Sequence, residues 1–299
     1  MIGRVTDGMQ LRALVEQHRR LQTRLATLQE QLATGKRLTS ADVDPVAAGA
    51  VLRSSGTLAA LGQFDTSSRF GLEVLGAEDT ALGQGTDLLV RAEEIATTFA
   101  SAGHTQADRD AAAEEVHGLL QALTALGNSS SAGRRIFGGL AQDAPAPFAD
   151  PDGPGYTAAT AYTGSTYEFE LRTGDGESVR LTTRGDTVFG QALQGLEALE
   201  TSLRTPGVDV ATTLAGLASG RDAITAERTS VGTRETLLQA RLTTVQASSA
   251  DETARRSRLE DADVIAVVTE LTQVQQALET LLAAAGRQND TSLASLLRI

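Results

Sequence analysis

The sequence predicts a mainly α protein, in which long helices form a terminal coiled coil and a helical bundle, with a small β-rich insertion in the middle of the chain. Three observations predict it. Leucines and valines recur at alternating spacings of three and four near both ends of the 299 residues. Between the ends, apolar residues keep a helical period over long stretches. Four of the six prolines then crowd into residues 143–189, where the apolar period drops to two.

The N-terminal ladder is Leu14, Leu21, Leu25, Leu28 and Leu32, with His18 filling one rung, and it predicts a helix of about 25 residues after Thr6. Arg19, Arg20, Arg24 and Glu30 lie on its other faces, so only a narrow stripe seeks a partner. A matching ladder stands at the other end: Val264, Val267, Leu271, Val274, Leu278, Leu281 and Ala285. Two ladders of similar length predict that the termini pair and form the interface through which the chain assembles.

Asp44 and Pro45 have the residue types of an N-cap and the first helical position. The helix they open runs to about residue 102, with Val51, Leu58, Leu61, Leu72, Leu75, Leu82, Leu88, Leu89 and Ile95 as core candidates. Gly71, Gly76, Gly83 and Gly85 predict a break or kink there, since glycine weakens a helix interior. Thr105 and Asp108 form a capping-box variant before Val116, Leu119, Leu120, Leu123 and Leu126. Residues 128–139 end that helix. Tyr167, Phe169 and Leu171, then Val179 and Leu181 across a turn at 173–176, predict a hairpin. Seven of the ten Phe and Tyr residues fall between Ile136 and Phe189, which predicts a small core within the insertion. Helix returns at Gln191–Leu203, and another from Asp209 carries Ile224, Val231, Leu238 and Val245 at spacings of seven and continues toward the C-terminal ladder. The expected division is therefore nested: residues 1–43 with 260–299, residues 44–142 with 190–259, and residues 143–189.

A net charge of −12 and a pI near 4.8 argue against nucleic acid or anionic membrane as a partner. The absence of cysteine excludes disulfides and thiolate chemistry. No apolar run reaches the roughly 18 residues of a membrane helix. Residues 1–20 lack the apolar core and cleavage site of a secretory signal, so export without a cleaved signal peptide is expected. His18, His104 and His117 form no recognised metal motif, and neither a P-loop nor a nucleophile elbow appears. Neither a catalytic site, a metal nor a cofactor is expected. Arg184-Gly185-Asp186 reads as a chance match, and the sequons at Asn128 and Asn289 carry little weight.

Four blocks carry a family resemblance. They are Arg4-Val5-Thr6 with Met9; Ala33-Thr34-Gly35-Lys36-Arg37 through Asp44-Pro45-Val46-Ala47-Ala48; Gly133-Arg134-Arg135-Ile136-Phe137-Gly138-Gly139; and Leu259 to Asp263 through Thr269, Leu271, Gln275, Gln276 and Leu278. In this order they resemble the bacterial flagellin superfamily, with Gly35, Lys36, Arg37, Asp44 and Pro45 as the most specific motif residues. In Ala41-Asp42-Val43-Asp44-Pro45 only the final Asp-Pro of the family's usual segment is kept, and Leu293 to Ile299 is similar to the end of the filament subunit itself. The resemblance implies an exported structural subunit of the hook–filament junction, with a filament subunit as the alternative. It also implies the hook-side junction protein, flagellin, further copies of the chain and an export chaperone as partners. A cytosolic coiled-coil scaffold is the alternative from another class.

Overall fold

The computed structural model describes residues 2–101, 103–141, 145–174 and 176–296. Asp175 in the expected hairpin turn, two residues at the start of the expected insertion and Leu297–Ile299 lie outside the described residues. Among the described residues six α-helices carry the fold: α1 (Ile2–Thr34), α2 (Pro45–Phe99), α3 (Gln106–Gly127), α4 (Gly185–Arg204), α5 (Leu214–Glu260) and α6 (Val264–Leu296). Among the described residues the strands form two antiparallel pairs, β1 (Ser130–Ser131) with β2 (Arg134–Arg135) and β3 (Glu170–Gly174) with β4 (Glu177–Arg180). The mainly α class with a small mid-chain β region therefore stands. The chain divides into two compact units, residues 1–60 with 248–299 and residues 61–247.

In the unit of residues 61–247, one buried cluster joins parts of α2, α3, α4 and α5. Ile224, Val231 and Leu238, seven apart on α5, are fully buried in it. Thr105 caps α3 as the sequence predicts. Its hydroxyl accepts from the Asp108 N–H at 3.2 Å while the Asp108 carboxylate accepts from the Thr105 N–H at 3.0 Å.

Two expectations are corrected here. α2 is unbroken through Gly71, Gly76, Gly83 and Gly85. A Cβ on Gly71 would lie 2.7 Å from Leu238, and Gly85 faces Ile224, Leu123 and Phe189. These glycines admit neighbours, and the packing they allow outweighs their low propensity of about 1 kcal/mol each. The insertion, in turn, has no core apart from the helices. Phe148 stands against Phe189 with ring centroids 6.1 Å apart, and Phe137 meets Phe189 edge-on at 4.8 Å. All three rings belong to the same buried cluster as the helical leucines. Phe148 also lies against Gly127 at the end of α3 and Gly185 at the start of α4.

The other unit contains α1, α6, the start of α2 and the end of α5. α1 packs against α6, with Leu21, Leu25 and Leu28 among Val267, Leu271, Val274 and Leu278. α5 does not run on into α6: Asp261–Asp263 interrupts them. The Ala262 N–H leaves the helix to donate to the Gly35 carbonyl at 2.9 Å, and Asp263 restarts it by accepting from the Ile265 and Ala266 N–H groups at 3.0 and 3.1 Å.

Candidate assembly interface

The two terminal ladders meet each other. Leu28 is 0% exposed, and Val267 and Val274 are each 8% exposed. Leu21, Leu25, Leu271 and Leu278 pack around them, half-buried, together with Ala262. Leu14, His18 and Leu281 are also half-buried. Leu32 and Val264, by contrast, are 41% and 50% exposed and stand outside the buried seam. Both stand at the end of the pair, within three residues of where α1 stops and α6 starts, so no further turn of either helix covers them. Ala262, not part of the expected ladder, fills the place beside the turn.

A polar clasp lies beside the seam. The Arg24 guanidinium donates to both carboxylate oxygens of Glu270, at 2.7 Å each. This forked geometry fixes register as well as proximity. Both side chains are nearly half exposed, so the pair contributes little to stability and mainly selects the alignment of α1 on α6.

The motif residues build the turn that ends α1. Gly35 adopts φ +68°, the left-handed conformation that closes a helix and that glycine takes without strain. Its carbonyl accepts from Ala262, and Lys36 forms a two-residue bridge with Asp261. The Lys36 ammonium pairs with the Glu260 carboxylate. The Arg37 N–H donates to the Glu260 carbonyl at 2.7 Å, and its guanidinium donates to the Leu259 carbonyl at 2.8 Å. Carbonyls at the C-terminal end of α5, which lack partners within the helix, are thereby satisfied by this loop. Arg37 also lies 3.7 Å from Asp44, whose carboxylate accepts from the Ala47 N–H at 3.0 Å and so caps α2 ahead of Pro45. The motif is thus a splice: it closes α1, holds the end of α5 and opens α2.

Charge and apolar exposure are unevenly shared. Residues 1–60 and 248–299 hold thirteen Lys and Arg against thirteen Asp and Glu, while residues 61–247 hold thirteen against twenty-five. The whole net charge of −12 therefore resides in residues 61–247. The neutral unit carries Met9, Val15, Val46, Leu52, Ile265 and Leu282 as exposed apolar side chains. Self-repulsion is least where apolar surface is most available.

Sequence reasoning missed a buried charged cluster in residues 61–247. Glu78 of α2 is 0% exposed, 3.7 Å from the Arg234 guanidinium of α5. Arg234 also pairs with Glu227, and Arg180 of β4 reaches Glu227 at 3.1 Å and Glu168 at 3.0 Å. The signal was present: Glu78 sits three residues after Leu75 and four before Leu82, and Arg234 falls between Val231 and Leu238 in the same way. A charge on an apolar stripe needs a partner.

The histidines and chance motifs have local roles. His117 bridges Asp152 at 2.9 Å and Glu200 at 3.2 Å, and these carboxylates, Asp152 foremost, raise its pKa. His104 stacks on Phe99 with centroids 4.4 Å apart. The Asn128 amide exchanges two hydrogen bonds with the Phe148 main chain, at 2.8 and 3.0 Å. Arg184 pairs with Asp186 across Gly185, which is buried against Phe148. Among the described residues, no group of three or more His, Asp or Glu side chains could hold a metal ion, and no helix is long and apolar enough to cross a membrane.

Comparison with known proteins agrees with this architecture. The profile of the bacterial flagellin N-terminal helical region matches residues 6–141. Flagellar hook-associated protein 3 of Escherichia coli is 27% identical over 161 residues, covering 54% of this chain and 48% of that protein. Its namesake in Salmonella typhimurium is 32% identical over 122 residues, covering 40% and 38%. The match thus spans about half, or less, of the length of these curated relatives. The fold is that of a solved hook-associated protein structure from Vibrio parahaemolyticus, with a TM-score of 0.64 at 16% identity, covering 73% of this chain and all of that one. Over residues 6–141 the chain is similar to the N-terminal helical region of bacterial flagellins, a class of helical structural proteins. The curated relatives it resembles are those named flagellar hook-associated protein 3.

Proposed function

We propose that this chain is a non-enzymatic structural subunit of the bacterial flagellum, a junction protein that links hook to filament by assembling with copies of itself and with neighbouring axial proteins. The observation that carries the reading is the α1–α6 seam. It is long but buries few side chains fully, it is net neutral, and it leaves Met9, Val15, Ile265 and Leu282 exposed for neighbours. On this reading residues 1–43 and 260–299 act as the assembly domain, with Leu14, Leu21, Leu25, Leu28, Leu32, Val264, Val267, Leu271, Val274, Leu278 and Leu281 at or beside its seams. Residues 44–142 with 190–259 act as the bundle, and residues 143–189 as an outer insertion seated on it through shared aromatic packing.

The resemblance supports the hook-side junction protein and flagellin as neighbours, an export chaperone on the C-terminal helix, and an extracellular location reached without a cleaved signal peptide. A pair that buries so little alone gains full order only when neighbours cover its exposed apolar surface. That delay keeps the subunit from polymerising early.

The test is amide exchange on the isolated full chain. Faster exchange over residues 1–43 and 260–299 than over residues 61–247, slowed on assembly, is the expected result. Strong protection of both termini in a small closed oligomer would overturn the proposal and favour a coiled-coil scaffold.

A further inference from the structure

The buried cluster around Glu78 holds three carboxylates and two guanidinium groups. The groups facing it come from every element packed there. α2 contributes Glu78, and α5 contributes Glu227, Ser230 and Arg234. β4 contributes Arg180, with Thr183 following it and Glu168 preceding β3. Arg234 is fully engaged: besides pairing with Glu227, it donates to the Arg180 carbonyl at 3.3 Å and to the Thr183 hydroxyl at 3.4 Å. Arg180 reaches Glu168, Glu227 and the Ser230 hydroxyl, each at 3.0 to 3.1 Å. Glu78 is left over. No donor among the described residues reaches either of its carboxylate oxygens, and neither oxygen touches solvent.

We propose that Glu78 is the proton-binding element of a latch that holds the β3–β4 hairpin against α5. With a proton on Glu78, two carboxylates face two guanidinium groups and Arg234 is free to hold the Arg180 carbonyl and Thr183. Without it, a buried carboxylate that accepts no hydrogen bond must either expel itself toward water or draw Arg234 closer and away from the hairpin, because a charge so poorly satisfied is costly in so dry a site. Burial pushes the Glu78 carboxyl up from 4.5 to about 7, with Arg234 opposing the rise only in part. The latch is therefore closed in acid and loosens as pH rises through neutrality. Arg241, paired with Glu177 on β4, gives the hairpin a second, exposed tether, so loosening leaves the hairpin attached.

The test is amide exchange of the full chain at pH 6 and pH 8, corrected for intrinsic rates and read over residues 177–183. A group that ionises near 7 closed and near 4.5 open raises the opening constant about tenfold across that interval. Glu78→Gln, neutral and nearly isosteric, is expected to abolish the rise. Glu227→Gln leaves two carboxylates for two guanidinium groups, frees Arg234 for Glu78, and is expected to move the transition to lower pH. Equal pH dependence in the wild type and Glu78→Gln would overturn the proposal, as would an unshifted transition in Glu227→Gln.

Discussion

Replacing Arg234 with Met is the sharpest test of how the body of this protein is held together. Met keeps much of the aliphatic volume but removes the charge that serves Glu227 and Glu78 together. Of the cluster, only Arg180 would remain to balance Glu168, Glu227 and Glu78. Breaking a buried pair while leaving its acids in place costs about 3–5 kcal/mol. The Arg234 side chain is only 10% exposed and Glu78 fully buried, so little solvent screening reduces that figure. The measurement is the urea midpoint of the full chain at pH 8, followed by circular dichroism and by amide exchange across residues 61–247. The loss is expected to shrink toward pH 5, because Glu78 then carries a proton. Combining the change with Glu78→Gln should recover part of it. Arg91→Met is the control: Arg91 pairs with Glu115 at 2.7 Å but is half exposed, and such pairs contribute about 0–1 kcal/mol. A loss under about 1 kcal/mol for Arg234→Met, equal at both pH values, would refute the reasoning.

Three further outcomes are expected. Gly220→Ala places a Cβ 2.5 Å from the Cα of Ala192, so α4 and α5 must separate, and the thermal midpoint should fall by the equivalent of about 1–3 kcal/mol. Asp44→Ala removes the cap on α2 and should cost about 1 kcal/mol, read as faster exchange of the Ala47 amide with residues 61–247 unchanged. His117→Gln tests the bridge to Asp152 and Glu200. The His117 pKa lies above 6.5 in the folded chain, so its contribution is complete below 6.5 and fades as pH rises through the raised value. The wild type should therefore lead the Gln variant most at acid pH, and urea midpoints that differ equally at pH 5 and pH 9 would exclude this role.

The helices were legible because a local period reveals which face of a segment is apolar. The seven-spaced Ile224, Val231 and Leu238 are buried as that period implies, and the caps at Asp44 and Thr105 need only neighbouring residues to form. The terminal ladders could be matched to one another for the same reason, and Leu28, Val267 and Val274 do meet. What the period could not state is which partner covers a face, or where a ladder stops being covered. Leu32 and Val264 keep the spacing yet lie in the open beside the turn. Gly71 and Gly85 of α2 read locally as a weakness, while their value lies in Leu238 and Ile224, more than a hundred residues away in sequence. The break between α5 and α6 depends on the Gly35 carbonyl, which takes the Ala262 N–H out of the helix. Glu78 and Arg234 each looked like a flaw in an apolar stripe, and only the approach of α2, α5 and β4 makes them one cluster. Sequence by itself determined the elements and their sticky faces, because those follow from local periodicity. Tertiary structure alone decided which faces met, which charges were buried together and where apolar surface remained exposed, because those depend on contacts between distant residues.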